Sequence, residues 1–179
     1  IVILNEKLEE VLGDDVLQED AFAAADNVLY NAVAGIAEVI NVEGQINVDF
    51  EDVKTVMSEQ GKAMMGTATA NGTDRARVAA EQAVRSPLLE GVDLSGARGM
   101  LVNISASSSI KLSETKMAME SIRAFAAENA EVIYGSVVDE SLGDDLRVTV
   151  VATGLDKERI QNLRSVPIDK EFEKTGTND

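Results

Sequence analysis

NVDFEDVKTVMSEQGKAMMGTA, residues 47–68, changes character halfway along, and that change decides the fold class. Asp52 to Gln60 reads as a helix with Gly61 at its C-terminal stop, whereas Ala63 to Ala70 is small and apolar enough for a buried strand. Asn71-Gly72 then supplies a turn. Downstream, Thr73 is placed to cap a helix through Ala76, Ala79, Ala80, Ala83 and Val84, which ends before Pro87 because proline disfavours a helical predecessor. Arg98 to Ala106 reads as a strand and Ser113 to Asn129 as a helix with Ala118, Ile122, Phe125 and Ala126 on one face. Glu131 to Val138 and Leu146 to Thr153 are β-rich and flank Gly143-Asp144, so a hairpin is expected there. Each helix needs a sheet face to cover it. The pattern predicts an α+β sandwich over about residues 47–155.

Upstream, Phe22, Ala25, Leu29, Ala32 or Val33, Ile36, and Val39 or Ile40 recur at steps of three and four, predicting one helix from Leu17 to Asn41. At about 1.5 Å per residue such a helix spans roughly 35 Å, the width of a small domain, and suits a connector between two domains. Ile1-Val2-Ile3-Leu4 reads as a buried strand without its sheet, followed by a short helical stretch, Glu6 to Leu12, stopped by Gly13. A further domain is therefore expected before residue 1. From Asp156 to Asp179 the chain turns polar and charged and reads as an exposed tail or linker.

Composition removes several kinds of chemistry. With no Cys and no His, Ser-His-Asp, Cys-His and structural zinc sites are excluded, and no metal site is predicted. A formal net charge of -16 repels a nucleic-acid backbone and disfavours docking on anionic lipid. No apolar run approaches the roughly 20 residues of a membrane span, so a cytoplasmic location is expected. There is no G-x-x-x-x-G-K-[ST] and no glycine-rich stretch ahead of a helix.

The most chemical segment is the loop Gly44 to Asp52, which collects Asn47, Asp49, Glu51 and Asp52 between the long helix and the next. Asp49 and Asp52 share one side of a helical first turn, where free backbone N–H groups and the helix dipole favour negative charge. Two readings stay open: a plain helix cap, or carboxylates and an amide that orient and deprotonate a water. The second needs cations and phosphate-binding donors from elsewhere, because carboxylates repel phosphate. Met57, Met64, Met65 and Met100 are expected to fill the core beside the long helix.

The blocks NVDFEDVKTVMSEQGKAMMGTA (47–68), RSPLLEGVDLSGARGMLVNI (85–104), IRAFAAENA (122–130) and LRVTVVATG (146–154) resemble the FtsZ family of cell-division GTPases, relatives of tubulin, in order and spacing. DAFAAADNVLYNAVAGIAEVI (20–40) resembles that family's central helix. The resemblance implies a mixed four-stranded sheet packed by helices and a division into 1–16, the end of a GTP-binding domain; 17–41, the central helix; 42–155, the polymerisation domain; and 156–179, the start of a tail linker. It implies GTP or GDP, with Mg2+, in a site shared with a nucleotide-binding domain and the neighbouring subunit. It also implies head-to-tail self-assembly, division-protein partners reached through the tail, and a mid-cell ring in the cytoplasm. Asn47, Asp49 and Asp52 match the polar residues of the activating loop; Phe22 and Asp26 match positions that touch guanine, and Asn5 a contact to base or ribose. Leu4 stands where the family usually has proline, and the glycine-rich GTP signature and the terminal tether-binding peptide are not recognisable. The alternative is a stand-alone α+β binding or structural module without a catalytic role.

Overall fold

A computed structural model of the chain describes residues 9, 12, 13, 15–41, 44, 46–85 and 96–155. The expected strand at residues 1–4, Asn5 and the tail 156–179 lie outside the described residues. Helix α1 (Gln18–Asn41) runs 24 residues, with Glu19 and Asp20 in its first turn where the dipole favours negative charge. Its C-terminal half is seated on the sheet through Gly35 and Val39, both buried, with Ile36 and Ile40 half-buried beside them. Earlier in the helix Phe22, Leu29, Tyr30 and Val33 are exposed.

After α1 come α2 (Phe50–Met57), β1 (Lys62–Ala70), α3 (Arg75–Val84), β2 (Ala97–Ala106), α4 (Leu112–Arg123), β3 (Ala126–Val138), a 3-10 turn (Glu140–Leu142) and β4 (Leu146–Leu155). The four strands form one mixed sheet in the order β1-β4-β2-β3, with β2 and β3 parallel and β4 antiparallel to both β1 and β2. The sheet is thus the predicted α+β arrangement, but the expected hairpin of the last two strands does not form. β4 crosses over the end of β2 and inserts between β1 and β2. Burial gives the reason. β2 and β4 are buried at nine of their ten positions and need neighbours on both edges, whereas β3 is buried at three of thirteen and suits an edge. The crossing is secured where Ser107 Oγ donates to the Gly143 carbonyl at 2.7 Å and Ser108 N donates to Glu140 Oε1 at 3.1 Å.

A second correction concerns α4, which stops at Arg123 rather than continuing to Asn129. Ala124, Ala126, Ala127 and Glu128 are good helix formers, yet Ala126 already pairs with Ala97 of β2. Local propensity is worth a few tenths of a kcal/mol per residue and yields to strand pairing with a buried neighbour. At the start of α3 the N-cap position belongs to Asp74, not Thr73, and Asp74 spends its carboxylate on Arg77.

Alternation along the strands makes two cores. On one face α3 and α4 cover Met64, Met100, Val102, Ile104, Val148 and Val150; Ala76, Ala79, Ala80 and Ala83 let α3 approach closely. On the other, α1 and α2 cover Met65, Leu101 and Val151 with Val39, Val48, Val53 and Val56. Each fully buried side chain of this kind stabilises by about 1.5–3 kcal/mol. The four methionines do not gather beside α1 as expected. Met65 faces that side, its neighbour Met64 and Met100 point to the other face, and Met57 is exposed. Adjacent strand residues must alternate.

Candidate functional site

Between α1 and α2, Gly44, Ile46 and Val48 lie against β3 at the edge of the sheet. Ile46 forms an isolated antiparallel bridge with Ser136, whose backbone N donates to the Ile46 carbonyl at 2.9 Å. A Cβ on Gly44 would sit 2.0 Å from the Ser136 carbonyl oxygen, so only glycine allows the backbone this close. The turn is closed from within by Asn47, whose Oδ1 accepts from Gly44 N at 2.8 Å. Val48, 6% exposed, plugs into the α1/α2 core. Asn47 and Asp49 on either side of it are exposed.

Asp49 occupies the N-cap position of α2 with extended backbone, but its side chain makes no cap hydrogen bond. The first turn is closed by its backbone instead, with Asp52 N and Val53 N donating to the Asp49 carbonyl at 3.1 and 3.2 Å. Among the described residues neither the Asp49 nor the Asp52 carboxylate has a hydrogen bond or ion pair, and both are exposed. The third acid of the loop, Glu51, faces Lys54 at 3.6 Å. At its other end α2 is pinned by Thr153 Oγ1, which donates to the Val56 carbonyl at 2.7 Å. The loop therefore presents two unshared carboxylates and one amide on a backbone fixed at both ends. That is the equipment for holding and deprotonating a water.

Phe22 and Asp26 stand one helical turn apart near the start of α1, both exposed. The structure does not bring them to the loop. From Asp26 to Asn41 the helix advances about 22 Å, at about 1.5 Å per residue. Asn5 lies outside the described residues.

Three features were not singled out from sequence. A cavity of about 160 Å³ under α1 is lined by Tyr30, Gly35, Glu38, Asp139, Arg147 and Thr149, with Arg147 Nη2 3.3 Å from Glu38 and 4.0 Å from Asp139. Hydrogen bonding from the Ser141 hydroxyl holds the Asp139 carboxyl below the usual range. At the far side of the sheet Arg75, 7% exposed, is bidentate to Glu114 at 2.7 and 3.1 Å and donates to the Asp144 carbonyl at 2.8 Å. Finally, Gly135 of β3 lies directly under the loop. A glycine inside the run Val132 to Val138 was the available signal, because such a glycine often marks a close backbone approach.

Sheet order, the long helix over one face and an acidic loop beside the edge strand form the α+β arrangement that the resemblance to the FtsZ family implies. Residues 61–156 match the model of the FtsZ family, C-terminal domain. The cell division protein FtsZ of Wigglesworthia glossinidia brevipalpis is 51% identical over 166 residues, covering 93% of this chain and 43% of that protein. The same-named protein of Coxiella burnetii is 55% identical over 155 residues, covering 87% and 40%. Among solved structures, an empty FtsZ dimer from M. jannaschii superposes with TM-score 0.79 at 40% identity over 88% of this chain and 45% of that one. CetZ from Methanosaeta thermophila, at 19% identity and TM-score 0.66, shares the fold. The chain belongs to the FtsZ family and carries its C-terminal domain. It spans less than half the length of these relatives.

Proposed function

We infer that this chain supplies the loop that activates GTP hydrolysis in the nucleotide site of an adjacent subunit, within a head-to-tail filament that builds the division ring. The observation that carries this is the separation of the two candidate sets. Phe22 and Asp26 lie near the start of α1, and Asn47, Asp49 and Asp52 follow its end, so one subunit's loop is far from its own base-contacting residues. A loop that acts on nucleotide must then reach the site of another copy, which a head-to-tail stack supplies.

In this reading the Asp49 and Asp52 carboxylates orient the attacking water and accept its proton. Asn47 has committed its Oδ1 to Gly44, so the group it turns outward is the amide N–H2, a donor to the water or to a phosphate oxygen. Phe22 stacks on guanine, and the Asp26 carboxylate accepts from N1–H and the exocyclic amine, which adenine lacks. Asp26→Ala in the full-length protein is expected to weaken GTP binding and narrow the preference for GTP over ATP; an unchanged preference removes Asp26 from the site.

The triphosphate and its Mg2+ need cradling amides and metal ligands; among the described residues no group of three or more His, Cys, Asp or Glu side chains that could hold a metal ion is found. We assign those amides and ligands to the domain expected ahead of residue 17, with 17–41 as connector, 42–155 as polymerisation domain and 156–179 as a tail toward other division proteins. The apolar face of α1, with Phe22, Leu29, Tyr30 and Val33 exposed, supports a domain packed there. No described helix is long and apolar enough to cross a membrane. Purified as it stands, the chain is expected to release no phosphate from GTP. Saturable turnover by the chain alone would overturn this division of labour.

A further inference from the structure

We propose that Gly135, in the middle of edge strand β3, is a positioning residue for the activating loop, setting where Asn47 and Asp49 stand. The proposal rests on the activating-loop reading above. A methyl group on Gly135 would lie 3.0 Å from Val39 Cγ1, 3.2 Å from the Ile46 carbonyl oxygen and 3.2 Å from Val48 Cγ2. The two approaches to carbon are tighter than the roughly 3.5–4.0 Å optimum between nonbonded carbons, and the carbonyl oxygen is also close. Two of the three atoms belong to the loop.

None of the three neighbours can step aside freely. The Ile46 carbonyl is backbone and is held by Ser136 N at 2.9 Å. Val48 and Val39 are 6% and 1% exposed and sit in a filled core. A methyl at 135 therefore lifts the loop itself, and the lift passes to Asn47 and Asp49 because they flank Val48 in the chain. Asn47 in turn closes on Gly44, which already rests against the Ser136 carbonyl. The loop is wedged between its own turn and the bare α-carbon of a strand about ninety residues away in sequence.

Conformation is not what requires glycine here. Gly135 is not among the glycines with positive φ, and it pairs in register with Asn103 of β2 as an ordinary strand residue. Alanine is no worse than glycine in a strand, so the fold should accept it. What the substitution changes is the height of the loop. That separates Gly135 from Gly44, where a Cβ would meet backbone oxygen at 2.0 Å and the loop would be displaced outright.

The test uses the full-length protein and reads GTP affinity, assembly by sedimentation, and phosphate release per assembled subunit. Gly135→Ala is expected to bind GTP normally and to lose up to about tenfold in turnover, since a misplacement of about 1 Å can cost as much as 10²-fold and contacts of 3.0 to 3.2 Å call for a smaller shift than that. Adding Val48→Ala, which removes the loop-side methyls, should recover more of that loss than adding Val39→Ala, which relieves only the helix side. If Gly135→Ala does not assemble, Val48→Ala alone loosens the seat from above and should lower turnover with affinity kept. Wild-type turnover per assembled subunit in Gly135→Ala, or in Val48→Ala where that variant substitutes for it, overturns the proposal, as does equal rescue by the two valine changes. Asp49→Asn run alongside separates the two levels. If it too hydrolyses normally, the activating-loop reading fails; if it alone is inactive, only the role of Gly135 fails.

Discussion

Asp49→Asn or Asp52→Asn in the full-length protein should bind GTP and assemble, yet lose turnover by two or more orders of magnitude, about what a positioned general base contributes. Binding is expected to survive because, in the proposed reading, both carboxylates act from outside the pocket that holds the nucleotide. Filaments should persist because the nucleotide stays a triphosphate. Asparagine is the informative replacement. It caps a helix as well as aspartate does but accepts no proton. The capping alternative already meets a difficulty, since the Asp49 side chain makes no cap hydrogen bond and the first turn of α2 closes on its backbone carbonyl. Capping alone predicts normal turnover and a stability change of about 1 kcal/mol or less. Phosphate release per assembled subunit, measured beside a denaturant midpoint, reads both.

The second large effect concerns stability. Arg75→Met is expected to cost about 3–4 kcal/mol, because it strands the Glu114 carboxylate, whose side chain is 16% exposed, without its bidentate partner. It also removes the donor to the Asp144 carbonyl that ties the start of β4 to α3. The hydrogen bond from Arg75 is the main cause holding the Glu114 carboxyl below its ordinary value of 4.5, with burial opposing it. A carboxyl depressed in the folded state adds stability above its unfolded pKa and loses it as pH falls through the lower folded value. The wild type should therefore weaken as the solution is acidified below about pH 4.5, and Arg75→Met should weaken less over the same range. Arg75→Met/Glu114→Leu should recover part of the loss, since an apolar pair of similar volume leaves no stranded charge. Equal midpoints for wild type and Arg75→Met in urea at neutral pH would contradict this.

Periodicity made α1, α3 and the strands legible before any coordinates, since each is set by which residues alternate toward a core. The residues of the loop could be singled out as a cluster of asparagine and aspartate between two helical patterns, but their spacing left a plain helix cap and a water-holding site both open, and only the family resemblance chose between them. Four things were not legible. Strand order depends on which strand is buried along both edges, and Leu146 to Leu155 looks from sequence like any apolar run after a turn. The end of α4 was hidden by alanines that pair as a strand with β2. The seat of the loop was hidden because Gly135 and Val48 become neighbours only when β3 is laid beside residues 46–48. Separation in sequence also concealed Arg75 and Glu114, which lie 39 residues apart and belong to different helices.

The central claim is that the loop works on nucleotide held by another subunit, and adding this chain to full-length Asp49→Asn protein with GTP tests it most directly. The full-length variant offers intact pockets without a working loop, and the chain offers a working loop without a pocket. Phosphate release is expected to rise with added chain and to saturate as exposed pockets fill, while the chain carrying Asp49→Asn adds nothing. Binding of the chain to the variant filaments with no phosphate release at any ratio, or equal release with the Asp49→Asn chain, would contradict the claim.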